Sequence, residues 1–214
     1  MKFKKILYIW LSLTSVLFLY GCSINIKDKT TLSENNSLEN ELHNEETEKR
    51  EDHETIQYTK EKIWSDFCTS DKIRDNCKEL TGKQIQIKNI NILSGNNIDL
   101  TNKDKYIIEI MAVDCYHCNN SMEHVINYEN QENNIPIYTC SFADDPVTIN
   151  EWMKEKEFEF DMGMIEYDFV KYDLGIKYTP CFLFVEKGEI KLAYIGEIKN
   201  IEFIETLKNT AYEE

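Results

Sequence analysis

Apolar and polar positions alternate or cluster in a way that divides this chain into recognisable segments. From Gln84 to Leu93 isoleucines fall at 85, 87, 90 and 92, with a shift near Asn89, which predicts a strand or hairpin arm. Ser94-Gly95-Asn96-Asn97 then reads as a turn. Tyr106 to Val113 is apolar at nearly every position, as a central strand buried on both faces must be. Ser121 to Tyr128 reads as helix, and Ile135 to Phe142 as another strand. Asp145-Pro146 supplies an N-cap and a first-turn proline for a helix through Trp152 and Met153. Glu166 to Leu174 reads as a helix closed by Gly175. Cys181 to Glu186 and Glu189 to Ile195 form two strands around the tight turn Lys187-Gly188, and Ile201 to Tyr212 is an amphipathic helix. Ahead of all these, Ile63, Trp64 and Phe67 suggest a short helix, and Ser70 caps a second one running through Ile73 and Leu80. The resulting order predicts an α/β domain with a central mixed sheet flanked by helices, preceded by a helical extension.

The first 58 residues read differently. Lys2, Lys4 and Lys5 precede an apolar stretch from Ile6 to Tyr20, the layout of a signal peptide. It ends in Leu19-Tyr20-Gly21-Cys22, which resembles a bacterial lipobox, and that resemblance implies lipidation of Cys22 as the first residue of the mature protein. An uncleaved anchor is the alternative, and both put the chain on the extracytoplasmic face of the cytoplasmic membrane. Ser23 to about Tyr58 is rich in Glu, Asn, Lys, Thr and Ser and cannot bury enough apolar surface to offset its ordering entropy. As a coil it would span on the order of 35 Å. The expected organisation is therefore 1–21 signal peptide, 22–58 anchor site and acidic tether, and 59–214 folded domain, of which 59–82 is the helical extension.

Charge narrows the partners. The formal net charge is −15, and removing residues 1–21 takes away three lysines and no acid, which moves it to −18. Nucleic acid is excluded as a partner on that ground. The chain has seven cysteines. With Cys22 assigned to lipid, six remain, and six in an exported chain point to thiol–disulfide chemistry.

The chemistry concentrates at Cys115-Tyr116-His117-Cys118, between the strand Tyr106–Val113 and a helix. A dithiol at a helix N-terminus has its first thiolate stabilised by the helix dipole and free backbone N–H groups, and the thiolate is the species that attacks disulfides. Together with Tyr178-Thr179-Pro180-Cys181-Phe182-Leu183-Phe184-Val185, the turn at Lys187-Gly188, and the stretches Phe158-Glu159-Phe160-Asp161 and Tyr172-Asp173-Leu174-Gly175-Ile176, this motif resembles the thioredoxin superfamily. The likeness covers about residues 83 to 210 and is greatest to the membrane-anchored branch of TlpA- and ResA-like thiol–disulfide oxidoreductases. It implies a thioredoxin-like fold, an extra strand near Phe158–Asp161, and a redox-active Cys115–Cys118 disulfide with no other cofactor and no metal. It also implies a cis peptide at Thr179-Pro180, with Thr179 offering backbone to an incoming peptide. The partners implied are exported protein thiols or disulfides and a membrane electron-transfer protein.

Individual residues qualify this picture. Asp114 stands where the family usually has tryptophan and should raise the Cys115 pKa. His117 acts the other way, favouring thiolate and an oxidising couple. Glu109, six positions before Cys115 in an apolar strand, resembles the buried acid that takes the proton of the second cysteine, here Cys118. Cys68 and Cys77 are either a small-loop disulfide or two packed thiols. Cys140 and Cys181 read as small buried hydrophobes. Other functions fit the same residues: a thioredoxin-like lipoprotein that only binds a partner or a metal, a bacteriocin-accessory protein of this fold, or a peroxidase. The direction of redox chemistry stays open.

Overall fold

The structure, a computed structural model, describes residues 57–212. The signal peptide, Cys22 and nearly all of the tether lie outside the described residues. Seven strands form one mixed sheet in the order β2-β1-β5-β4-β3-β6-β7. The strands are β1 (Asn89–Ile92), β2 (Asn97–Asp99), β3 (Lys105–Met111), β4 (Ile137–Ser141), β5 (Gly163–Met164), β6 (Cys181–Glu186) and β7 (Glu189–Ile195). β3 pairs parallel with β4 and antiparallel with β6, and β6 pairs antiparallel with β7. The helices are α1 (Lys60–Phe67), α2 (Asp71–Leu80), α3 (Tyr116–Glu129), α4 (Pro146–Glu155) and α5 (Ile201–Tyr212). This is the thioredoxin-like fold.

Local chemistry explains the helix starts. Thr59, Ser70 and Asp145 cap α1, α2 and α4 by accepting from backbone N–H groups of the first turn, each contributing about 1 kcal/mol. β3 is paired on both edges and is buried from Tyr106 through Met111, its apolar residues lying in two hydrophobic clusters. The helical extension is anchored to the sheet: the Trp64 indole N–H donates to the Ala193 carbonyl at 3.0 Å. At the other end of the domain the Tyr212 hydroxyl donates to the carbonyls of Tyr106 and Val185.

Several expectations need correction. The run from Gln84 to Leu93 is a strand only over Asn89–Ile92; before that, Gln84 makes a single bridge to Glu189, and the Ile85 N–H donates to the Gly188 carbonyl. Asn97 is not turn but the start of β2, which folds back antiparallel on β1. The extra strand falls at Gly163–Met164 rather than Phe158–Asp161. Gly163 is what permits it, since a Cβ there would lie 2.4 Å from Ile90 Cγ2 and 2.7 Å from Cys140 Sγ. Phe158 and Phe160 pack instead beside Trp152. Glu166–Leu174 is a π-helical turn over Phe169–Leu174, closed by Gly175 at φ 81°. Finally, α3 starts at Tyr116, five residues before Ser121.

Candidate active site

Cys115 is the N-cap of α3, and its sulfur accepts from the Cys118 N–H at 3.2 Å. The two cysteines are joined as a disulfide. Their exposure differs: Cys115 is half-buried, whereas Cys118 is fully buried on the inner face of the first turn. Cys118 sits in a small apolar cluster with Met111, Met122, Ile149, Trp152 and Met162.

The loop that delivers the dithiol is held from three directions. Asn119 donates to the carbonyls of Val113 and Cys115, both at 2.9 Å, while its own side-chain oxygen accepts from the Trp152 indole at 2.8 Å. Asp144 accepts from the Val113 N–H at 2.9 Å and from the Ser141 hydroxyl at 2.6 Å. Ser121 donates to the His117 carbonyl and accepts from the Ile198 N–H, both at 2.9 Å, tying α3 to the segment after β7.

The Thr179-Pro180 bond is cis. Thr179 Oγ1 lies 3.6 Å from Cys115 Sγ and donates to it, so the proline loop and the dithiol meet. That loop is buttressed by the helical extension. Fully buried Asn76 on α2 donates to the Gly175 carbonyl at 2.9 Å and accepts from the Lys177 N–H at 3.0 Å. Lys83 donates to the Leu174 carbonyl at 2.6 Å. A groove of about 830 Å³ is lined by Thr179, Pro180 and His117, together with Tyr194, Phe203 on α5 and Cys68 at the α1–α2 junction.

Glu109 is fully buried in the centre of β3, on the same strand face as Met111. Its Oε2 accepts from Thr139 Oγ1 at 2.8 Å, and its Oε1 has no partner. Burial in this apolar setting pushes its pKa up to about 7, with the Thr139 hydrogen bond working against that rise. A carboxyl with one free oxygen and a pKa near neutrality can both accept and release a proton.

His117 is turned outward. Its side chain is 63% exposed, and Nδ1 meets Glu197 Oε2 at 2.7 Å. Asn120 also donates to that oxygen, at 3.2 Å. The His117 hydrogen bond, and to a lesser degree Asn120, holds the Glu197 carboxyl below the usual range. The imidazole between the two cysteines therefore has a carboxylate partner. Glu197 escaped the sequence reading because it lies 80 residues from His117 and no motif joins them. Asp114 is exposed.

Cys68 and Cys77 are both thiols, with sulfurs 3.9 Å apart, so the small-loop cross-link is not formed here. Cys140 and Cys181 are buried thiols whose pKa values burial drives far above the ordinary range. Among the described residues, no group of three or more His, Cys, Asp or Glu is arranged to hold a metal ion.

No protein-family model matches the sequence, and no curated protein matches it significantly. Solved structures do. A thiol:disulfide interchange protein of the thioredoxin family from Chlorobium tepidum superposes with a TM-score of 0.52 at 12% identity, covering 61% of this chain and 97% of that one. The thioredoxin domain of a thiol-disulfide oxidoreductase from Bacteroides vulgatus gives 0.49 at 17% identity, over 60% and 98% of the two chains. StoA from Bacillus subtilis gives 0.46 at 15%, over 54% and 91%. Strand order, the dithiol at a helix start and the cis-proline loop agree with what the Chlorobium likeness shows: this chain has the thioredoxin-like fold.

Proposed function

We propose that the protein is an extracytoplasmic, lipid-anchored thiol–disulfide oxidoreductase that exchanges disulfides with exported proteins through Cys115 and Cys118. One observation carries the reading: a Cys115–Cys118 disulfide at the N-terminus of α3 with the cis Thr179-Pro180 loop in contact with Cys115. In the reducing direction the Cys115 thiolate attacks one sulfur of a substrate disulfide, and the other substrate sulfur leaves as a thiolate. Cys118, its proton taken by Glu109, then attacks the Cys115 sulfur and releases the second substrate thiol. The substrate gains two electrons and two protons, and the protein ends as the disulfide. The half-buried position of Cys115 and the full burial of Cys118 suit attack by the first and resolution by the second. Thr179 offers its backbone to an extended peptide. A membrane electron-transfer partner would restore the dithiol.

Residues 1–22 support the location: three lysines, an apolar stretch and Leu19-Tyr20-Gly21-Cys22 are the parts of a lipoprotein export signal. Lipidation of Cys22 predicts an acyl-modified N-terminus, lost in Cys22→Ala. Activity is tested by insulin-disulfide reduction with dithiothreitol as electron source. The wild type should accelerate precipitation of the insulin B chain, and Cys115→Ser should not. Equal rates for the two would overturn the reading.

A further inference from the structure

Cys68 and Cys77 are a second pair of close cysteines, one at the C-terminus of α1 and one within α2. Cys68 caps the C-terminus of α1 with extended backbone, φ −77° and ψ 127°, and lines the same groove as Thr179 and Pro180. It is 8% exposed, whereas Cys77, inside α2, is 0% exposed. Their sulfurs are 3.9 Å apart, and a disulfide needs about 2.05 Å, so closure asks for a movement of about 2 Å. The Cys68 N–H still donates to the Trp64 carbonyl at 3.3 Å, so the movement falls to the side chains.

Position favours attack from Cys68, because it lines the groove and Cys77 does not. The thiol–thiol hydrogen bond and the Arg74 guanidinium lower the Cys68 pKa against its burial, while the same contact and burial raise that of Cys77. Arg74 Nε is buried with no hydrogen-bond partner, a donor left over on the helix that carries Cys77. The same groove is lined by Phe67, Ile73, Tyr194 and Phe203, so an extended polypeptide seated against Thr179 would share one cavity with Cys68.

We infer that Cys68 and Cys77 form a second thiol–disulfide exchange pair, open through Cys68 to a disulfide of a polypeptide lying in the same groove. The Cys68 thiolate attacks one sulfur of that disulfide, forming a mixed disulfide, and the other sulfur leaves and takes up a proton. Cys77 loses its proton and attacks the Cys68 sulfur, forming Cys68–Cys77 and releasing the second substrate sulfur as a thiol. Two protein thiols are oxidised and one substrate disulfide is reduced. The inference does not require Cys115 and Cys118 to turn over, so the two claims fail separately.

The test uses the full chain equilibrated in buffers running from reduced to oxidised glutathione. Thiols are trapped with light N-ethylmaleimide, the protein is unfolded and reduced, and new thiols are labelled with the heavy reagent before peptide mapping. Peptides holding Cys68 and Cys77 are read apart from those holding Cys115 and Cys118. The expected result is a joint, reversible conversion of Cys68 and Cys77 to the heavy label in native protein, with Cys140 and Cys181 unconverted. Cys77→Ser should stop at a stable glutathione adduct on Cys68, at least tenfold more abundant than in the wild type. Thiols that stay reduced in every buffer would overturn the inference. So would a Cys68–Cys77 bond that is reducible only after unfolding, because that is a structural cross-link. An adduct of equal abundance in wild type and Cys77→Ser would overturn the resolving role of Cys77.

Discussion

Replacing Glu109 with glutamine should remove a pH dependence of stability that the fold imposes on this carboxyl. In the native state its pKa is about 7, against an ordinary value of 4.5, because it is fully buried beside one hydroxyl. A raised carboxylate pKa means the native state holds its proton more tightly than the unfolded state does. The stability gradient is set by protons bound unfolded minus protons bound native, which is negative between these two values. Stability therefore falls as pH rises from about 4.5 and levels off above about 7. The full cost of ionising the buried group is about 3 kcal/mol at one pKa unit per about 1.4 kcal/mol, of which about 2.5 kcal/mol appears between pH 5 and pH 8. Glu109→Gln keeps the volume and cannot ionise. Urea unfolding of wild type and variant at half-unit steps across that window isolates the term, because every other titrating group cancels in the difference. Wild type should lose about 2–3 kcal/mol relative to the variant on going from pH 5 to pH 8. Parallel curves would show that Glu109 titrates normally, and its assignment as the proton acceptor for Cys118 would go with it.

Three further outcomes follow from the same geometry. Asn76→Ala removes the partner of the Gly175 carbonyl and the Lys177 N–H at a part-buried site that water can reach, a loss of about 1–3 kcal/mol in all, read from the urea midpoint. Gly163→Ala drives a methyl group into Ile90 and Cys140 and should cost about 1–3 kcal/mol by overpacking, again by urea unfolding; a neutral result would mean that β5 shifts freely. Glu197→Gln removes the carboxylate beside His117, so the Cys115 thiolate gains stability and the couple turns more oxidising. Because the pair faces solvent, the change should stay below about 30 mV in a glutathione titration, and a shift toward a more reducing potential would contradict this.

Much of the fold was legible where periodicity and punctuation agree. Cys181–Glu186, Lys187-Gly188 and Glu189–Ile195 matched their observed bounds because two β-rich runs flank a turn that only a glycine-containing pair makes easily. Asp145-Pro146 marked α4 because capping and a fixed proline φ are local properties. β5 was misplaced because a two-residue strand has no period, and its position follows from the space Gly163 leaves beside Ile90. The start of α3 was set too late because Cys115 itself, through its sulfur, serves as the cap. The Cys115–Cys118 pairing, the cis Thr179-Pro180 bond and the placement of Glu109 inside a buried strand were readable because each lies in or beside a strand of clear pattern. The supports were not. Glu197 on His117, Asn76 on the proline loop, and Trp152 on Asn119 are contacts between elements distant in sequence, and each uses a residue type ordinary at any surface or core position.

The central claim is that Cys115 attacks and Cys118 resolves. Reduced Cys118→Ser protein, mixed with a peptide carrying a disulfide, tests it by non-reducing mass analysis. The account predicts a long-lived adduct of protein and peptide, mapped to Cys115 and reversed by dithiothreitol, and no such adduct at Cys118 in Cys115→Ser. No adduct on Cys115, or a dominant one on Cys118 in the Cys115→Ser protein, would contradict it.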